Sequence, residues 1–116
     1  MCEVAAGIQT LDDVGYPRVD GWCELPEGPT HERRDAVAAT LASLRAGVHH
    51  MILPPCVDAA ELRALADDWA TRVSDYELLA SGWLREEATR LGIRVIGYRE
   101  IAALIPPDLS PAIAAQ

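Results

Sequence analysis

The chain has 116 residues, room for one domain, with half of them hydrophobic and 24% charged, which suits a globular protein with a modest core. Its formal net charge is −8 and all ten cations are Arg, scattered without a basic patch, so nucleic acid and anionic membrane are both excluded as expected partners. Cys2, Cys23 and Cys56 form no CxxC pair, and no run approaches the ~20 apolar residues of a membrane span, so neither a disulfide framework nor a membrane protein is expected.

Residues 1–29 read as an irregular N-terminal segment. GIQTLDDV holds at most a short strand at Gly7–Thr10, and YPRVDGWCELPEGP is rich in turn formers, with Leu11, Val14 and Trp22 as buried anchors. MCEVAAGIQT shows no basic stretch followed by a long apolar run, and the expected compartment is the cytoplasm.

Thr30 is placed to cap a helix over 31–45. Val37, Leu41 and Leu44 fall at i, i+4 and i+7, and Gly47 closes the helix. Val48–Leu53 then reads as a strand. Asp58 with Glu61 predicts a helix start by side-chain capping, and Leu62, Leu65, Trp69 and Val73 follow at helical spacing. Ser74 with Glu77 repeats that start. Ser81 precedes a third apolar run through Leu84, Ala88 and Leu91, which Gly92 ends. Ile93–Tyr98 reads as a second strand, 99–105 as a turn or two of helix, and 106–116 as a loose tail.

Helices alternating with apolar strands predict an α/β fold. The expected architecture is a partial (β/α) barrel-like parallel sheet of two to three strands with covering helices over 30–105. So few strands leave the sheet edges open.

One further pattern runs from Leu44 to Ile101. A strand enters a proline pair (MILPPCVD). A helix follows with Glu61–Leu65, Asp68-Trp69, Arg72 and Asp75-Tyr76-Glu77. Ser81 opens the next helix, and Leu91-Gly92-Ile93 and Tyr98-Arg99 close the pattern. This resembles the C-terminal part of the YdjC-like (ChbG/HpnK) carbohydrate deacetylases. The resemblance implies a distorted (β/α) barrel, a divalent metal held by Asp and His, and hydrolysis of the N-acetyl group of an amino sugar. In such a site the metal polarises the amide and activates water while an acid–base pair moves protons.

The chain departs from that pattern in two respects. It is expected to start within the family's middle region, without the strand that carries Ala-Asp-Asp-Phe-Gly. The family's strand-end His is replaced by Pro54, so no catalytic residue is assigned. The expectation is a truncated or degenerate deacetylase that is not active alone. The alternative is a non-catalytic interaction module, pairing through its open sheet edges with itself or with a complementary chain.

Asp12-Asp13-Val14-Gly15 imitates the metal motif, which makes Asp12 and Asp13 weak metal candidates; no cofactor is assigned to this chain, and the divalent metal is expected of the full-length family. Their flanking sequence suits a turn better. His49 and His50 point to opposite faces of a strand and start it, ~13 Å from Pro54 at ~3.3 Å per residue, far from the carboxyl end where such sheets hold their chemistry. His31 reads as a surface residue. Cys56, Asp58 and Arg99 are the candidates for a substrate rim beyond the strands. Against each stands a plainer role: packing for Cys56, N-capping for Asp58, an ion pair for Arg99. Asp67, Asp68 and Asp75 read as a solvated acidic face, with Asp68 and Arg72 an i, i+4 pair.

Overall fold

A computed structural model describes residues 2–109, with side chains from residue 8. It divides into two compact units, Asp20–Val95 and a second made of Met1–Val19 with Ile96–Gln116.

The larger unit is mixed α/β. Strand β1 (Gly21–Glu24) leads through helix α2 (Thr30–Ala42) to strand β2 (His49–Ile52), and the two strands pair in parallel. Parallel pairing requires a crossover of this kind, because a tight turn can only reverse the chain. Helices α3 (Ala60–Leu65), α4 (Trp69–Ala80) and α5 (Trp83–Arg90) follow. The core is small and aliphatic: Val37 and Leu41 from α2, Leu78 from α4 and Leu84 from α5. Leu25, Met51, Leu53 and Ile93 close around it. Burying a side chain such as Leu78, wholly inaccessible, stabilises the fold by about 1.5–3 kcal/mol.

The register fixes which face of the sheet meets that core. Trp22 pairs with His50, Cys23 with Met51 and Glu24 with Ile52. Side chains alternate along each strand, so Cys23 and Met51 point one way and Trp22, Glu24, His50 and Ile52 the other. Cys23 is 4% exposed, whereas Trp22 is 67% and Ile52 47% exposed.

In the smaller unit, α1 (Cys2–Asp13) ends at Gly15, whose φ of 73° lets the chain turn back. Gly15 N–H donates to the Asp12 carbonyl and Tyr16 N–H to that of Leu11, satisfying carbonyls the helix leaves open. Helix α6 (Tyr98–Ala102) and a 3-10 turn (Pro107–Leu109) complete it. Among the described residues no helix is long and apolar enough to cross a membrane.

Several expectations are corrected. The segment 1–29 is not irregular, since it contains α1 and β1, and the strand expected at Gly7–Thr10 lies inside α1. Ile93–Tyr98 is not a strand. Ile93 packs on the core, but among the described residues no strand pairs with the segment, and Val95 is 70% exposed. Among the described residues the parallel sheet therefore has two strands, and the partner of β2 is β1. Thr30 is the first residue of α2 rather than its cap, which is Pro29. Helix α3 starts at Ala60 instead of behind an Asp58 cap, because the Asp58 carboxylate is held by Arg63. No new helix starts at Ser74, which is buried mid-way along α4; the break falls at Ala66, in extended backbone. Of the expected tail, Pro107–Leu109 is a helical turn and 110–116 lie outside the described residues.

Candidate functional site

Both strands end at the same rim, and α/β sheets hold their ligands beyond the carboxyl ends of their strands. Glu24 ends β1 and Ile52 ends β2. Beyond them lies a crevice of about 160 Å³, bounded also by Glu27, Pro54, Asp68 and the pair Arg33–Asp75.

Arg33 organises this end of the unit. It shares the inward stripe of α2 with Val37 and Leu41, at i+4 and i+8, and is only 2% exposed. Its Nε donates to the Pro26 carbonyl at 2.5 Å and its Nη1 to the Thr71 carbonyl at 3.3 Å. Asp75 Oδ1, on α4, lies 2.8 Å from Nη1. The N–H does not point along that line, so the contact is one of charge rather than an aligned hydrogen bond. Gly28 N–H donates to Thr71 Oγ1 at 3.0 Å, a second tie between the β1–α2 loop and α4. The pair thus clamps the loop that follows β1. It also corrects the reading of Asp75 as a solvated residue: helical phase turns it inward beside Ser74 and Leu78.

Two of the four carboxylates that line the crevice, Asp68 and Asp75, are engaged by arginines. Asp68 accepts from Arg72 Nε at 2.7 Å, the expected i, i+4 pair, and the guanidinium holds its carboxyl below the usual range. Pro54 lines the crevice and offers no acid, base or ligand atom. Cys56 is half-buried. Its N–H donates to the Arg72 carbonyl at 3.0 Å. Asp58 borders a different groove and is bound by both Arg63 nitrogens, at 2.8 and 2.7 Å, which lower its pKa. Arg99 lies on α6, in the other unit.

A scan of protein-family models, a search of curated proteins and a search of solved structures each found no match.

The divalent metal implied by the resemblance needs a ligand set. Asp12 and Asp13 sit in the last turn of α1, not in a loop. Arg18 Nε and Nη2 hold the Asp12 carboxylate at 2.7 and 3.1 Å and depress its pKa, and Gln9 donates to Asp13 Oδ1 at 2.9 Å. Among the described residues, no three His, Cys, Asp or Glu side chains are arranged to hold an ion. The residues do not fit that metal, and no hydrolytic step is derived through it. His49 and His50 part as strand alternation requires. His49 Nε2 bonds with the Arg45 carbonyl at 2.9 Å, and the His50 ring stands edge-on to Trp22 with centroids 4.9 Å apart.

Two features escaped the sequence reading. One is the Arg33–Asp75 clamp, whose signal was a cation in phase with Val37 and Leu41. The other is the bare sheet face carrying Trp22 and Ile52, which needed the identity of the partner strand.

Proposed function

We propose that this chain is a deacetylase-like α/β module that does not hydrolyse by itself and whose sheet is completed by another chain. The observation that carries this reading is the exposed face of β1–β2. Purely parallel sheets are covered on both faces. Here Cys23 and Met51 face the core while Trp22, 67% exposed, and Ile52, 47% exposed, have no such cover. Each strand also pairs only with the other among the described residues, leaving two edges with unused backbone donors and acceptors. A two-stranded sheet is marginal, so further strands beside β1 or β2 would add both hydrogen bonds and cover. A barrel-like arrangement belongs to that assembled state, as do a carbohydrate substrate and a divalent metal.

Sedimentation across a concentration range tests the reading. The expected result is reversible association that buries β1–β2, with slowed amide exchange at 21–24 and 49–52. Trp22→Glu should abolish it with the far-UV spectrum unchanged. The competing reading is hydrolysis by the chain alone, favoured by the position of the crevice at the strands' carboxyl ends. A monomer that releases acetate from N-acetylglucosamine oligomers, and that Mn²⁺ or Zn²⁺ stabilises against unfolding, would establish that competitor and overturn the module.

A further inference from the structure

Four side chains make up the bare face of the sheet, and the strand register sets them at the corners of a rectangle. Trp22 stands beside His50 and Glu24 beside Ile52 across the two strands, with about 4.8 Å between the strands. Trp22 and Glu24 on β1, and His50 and Ile52 on β2, are two residues apart, about 6.6 Å along each strand. The apolar residues Trp22 and Ile52 therefore occupy one diagonal, and the polar residues Glu24 and His50 the other.

The polar corners complement each other. Glu24 is exposed and forms no ion pair among the described residues. His50 is half-buried, with its ring edge-on to Trp22. An imidazole carries at least one ring N–H in either charge state, and a carboxylate accepts from it. One acceptor and one donor thus flank the apolar diagonal on opposite sides, which makes the patch complementary to a copy of itself.

Two copies meeting face to face about a two-fold axis can superpose the rectangle on itself in four ways. An axis along the strands sets Trp22 against His50 and Glu24 against Ile52. An axis across the strands sets Trp22 against Glu24. An axis along the Glu24–His50 diagonal sets the two Glu24 carboxylates against each other. Only the axis along the Trp22–Ile52 diagonal puts like with like in the apolar corners, Trp22 on Trp22 and Ile52 on Ile52. The same axis brings each Glu24 to the other copy's His50.

We infer that a second copy of this chain covers the bare face, about a two-fold axis along the Trp22–Ile52 diagonal. This rests on the reading of the face as an association surface and adds the partner and its orientation. The strands of the two sheets then cross at near right angles, one of the two usual arrangements of packed sheets. The contact is isologous, Glu24 to His50 and His50 to Glu24, as closed dimers require. Four side chains on each side fall well short of the ~20–30 residues of a standard interface, so the dimer is weak and depends on concentration. Repulsion between two chains of net charge −8 is screened beyond ~8 Å at physiological salt.

Charge exchange followed by sedimentation equilibrium at physiological salt tests the inference. Glu24→Arg sets a guanidinium against the other copy's His50, and His50→Glu sets carboxylate against carboxylate. Each variant alone is expected to weaken self-association at least tenfold. An equimolar mixture of the two should associate within about threefold of the wild type, because in the mixed dimer both polar contacts join unlike groups. A second measurement needs no variant: isotope-filtered NOEs in a mixture of labelled and unlabelled wild type should join the Ile52 methyls of the two copies. If Trp22→Glu abolishes wild-type association but neither charge variant weakens it, or if mixing natively folded variants restores nothing, the two-fold arrangement is overturned and the association surface stands. NOEs that join Ile52 of one copy to Trp22 or Glu24 of the other have the same consequence. A wild-type chain that stays monomeric at every concentration overturns both.

Discussion

Arg33 and Asp75 meet at 2.8 Å with each side chain only 2% exposed, and together they join α2 and the loop after β1 to α4. Burying two charges costs desolvation, so such a pair is weak evidence of net stability. Its removal in part is another matter. Asp75→Ala leaves the guanidinium without its counter-charge and is expected to cost about 3–5 kcal/mol in urea unfolding. The double change Arg33→Met with Asp75→Leu should recover most of that loss. If the single variant loses under about 1 kcal/mol, the pair does not clamp the fold.

Gly47 gives a second prediction. Its φ is 140°, and a Cβ there would sit 2.7 Å from Asp20 Oδ2. That same oxygen accepts the Val48 N–H at 2.7 Å and sets the entry to β2. Gly47→Ala therefore combines backbone strain with a clash against a fixed acceptor. The expected cost is about 1–3 kcal/mol, read as a lower midpoint in urea with an unchanged slope.

These two sites show what was legible beforehand. Helix α2 and strand β2 could be read because Val37, Leu41 and Leu44 keep helical phase and Met51–Leu53 run unbroken and apolar. The Asp68–Arg72 pair followed from spacing alone. Strand β1 could not be read, since GWCE is four residues long, holds a glycine and an acid, and lies among turn formers; only pairing with β2 makes it a strand. The opposite error occurred at Ile93–Tyr98, where apolar, β-prone residues meet no partner strand among the described residues. Strand propensity reports fit to a pleated surface, and whether that surface exists is a tertiary matter. Arg33 was legible in principle, as a charge in phase with Val37 and Leu41. Asp75 was hidden among the exposed acids around it, Asp67, Asp68 and Glu77.

Cys23 is 4% exposed, and burial pushes its thiol above the ordinary cysteine pKa. A protonated, inaccessible thiol is a poor nucleophile. Native protein at neutral pH should therefore leave Cys23 unmodified by an aryl disulfide reagent on the timescale that labels it fully in urea. Peptide mapping of the labelled sites checks this. Equal labelling in both states would place Cys23 outside the core.

The carboxyls of Asp12, Asp58, Asp68 and Glu87 are each lowered by hydrogen bonding to an arginine: Arg18, Arg63, Arg72 and Arg90. A carboxyl whose pKa falls on folding contributes stability above its unfolded value. That contribution is lost as the pH drops through the folded value. The window thus lies below the ordinary carboxylate range, and neutral pH should leave these pairs intact. Asp12, Asp58 and Asp68 are exposed, and Glu87, which is more buried, pairs with an exposed Arg90, so each contribution is small and salt weakens it. Carbon-detected titration should find Asp58 titrating below the usual aspartate range in the wild type and returning to it in Arg63→Gln. That substitution also removes the guanidinium stacked 4.1 Å from the centroid of Trp69. A shift in the Trp69 indole resonance should accompany the change in Asp58 at low ionic strength. An Asp58 curve unmoved by Arg63→Gln would show that the ion pair does not set its charge.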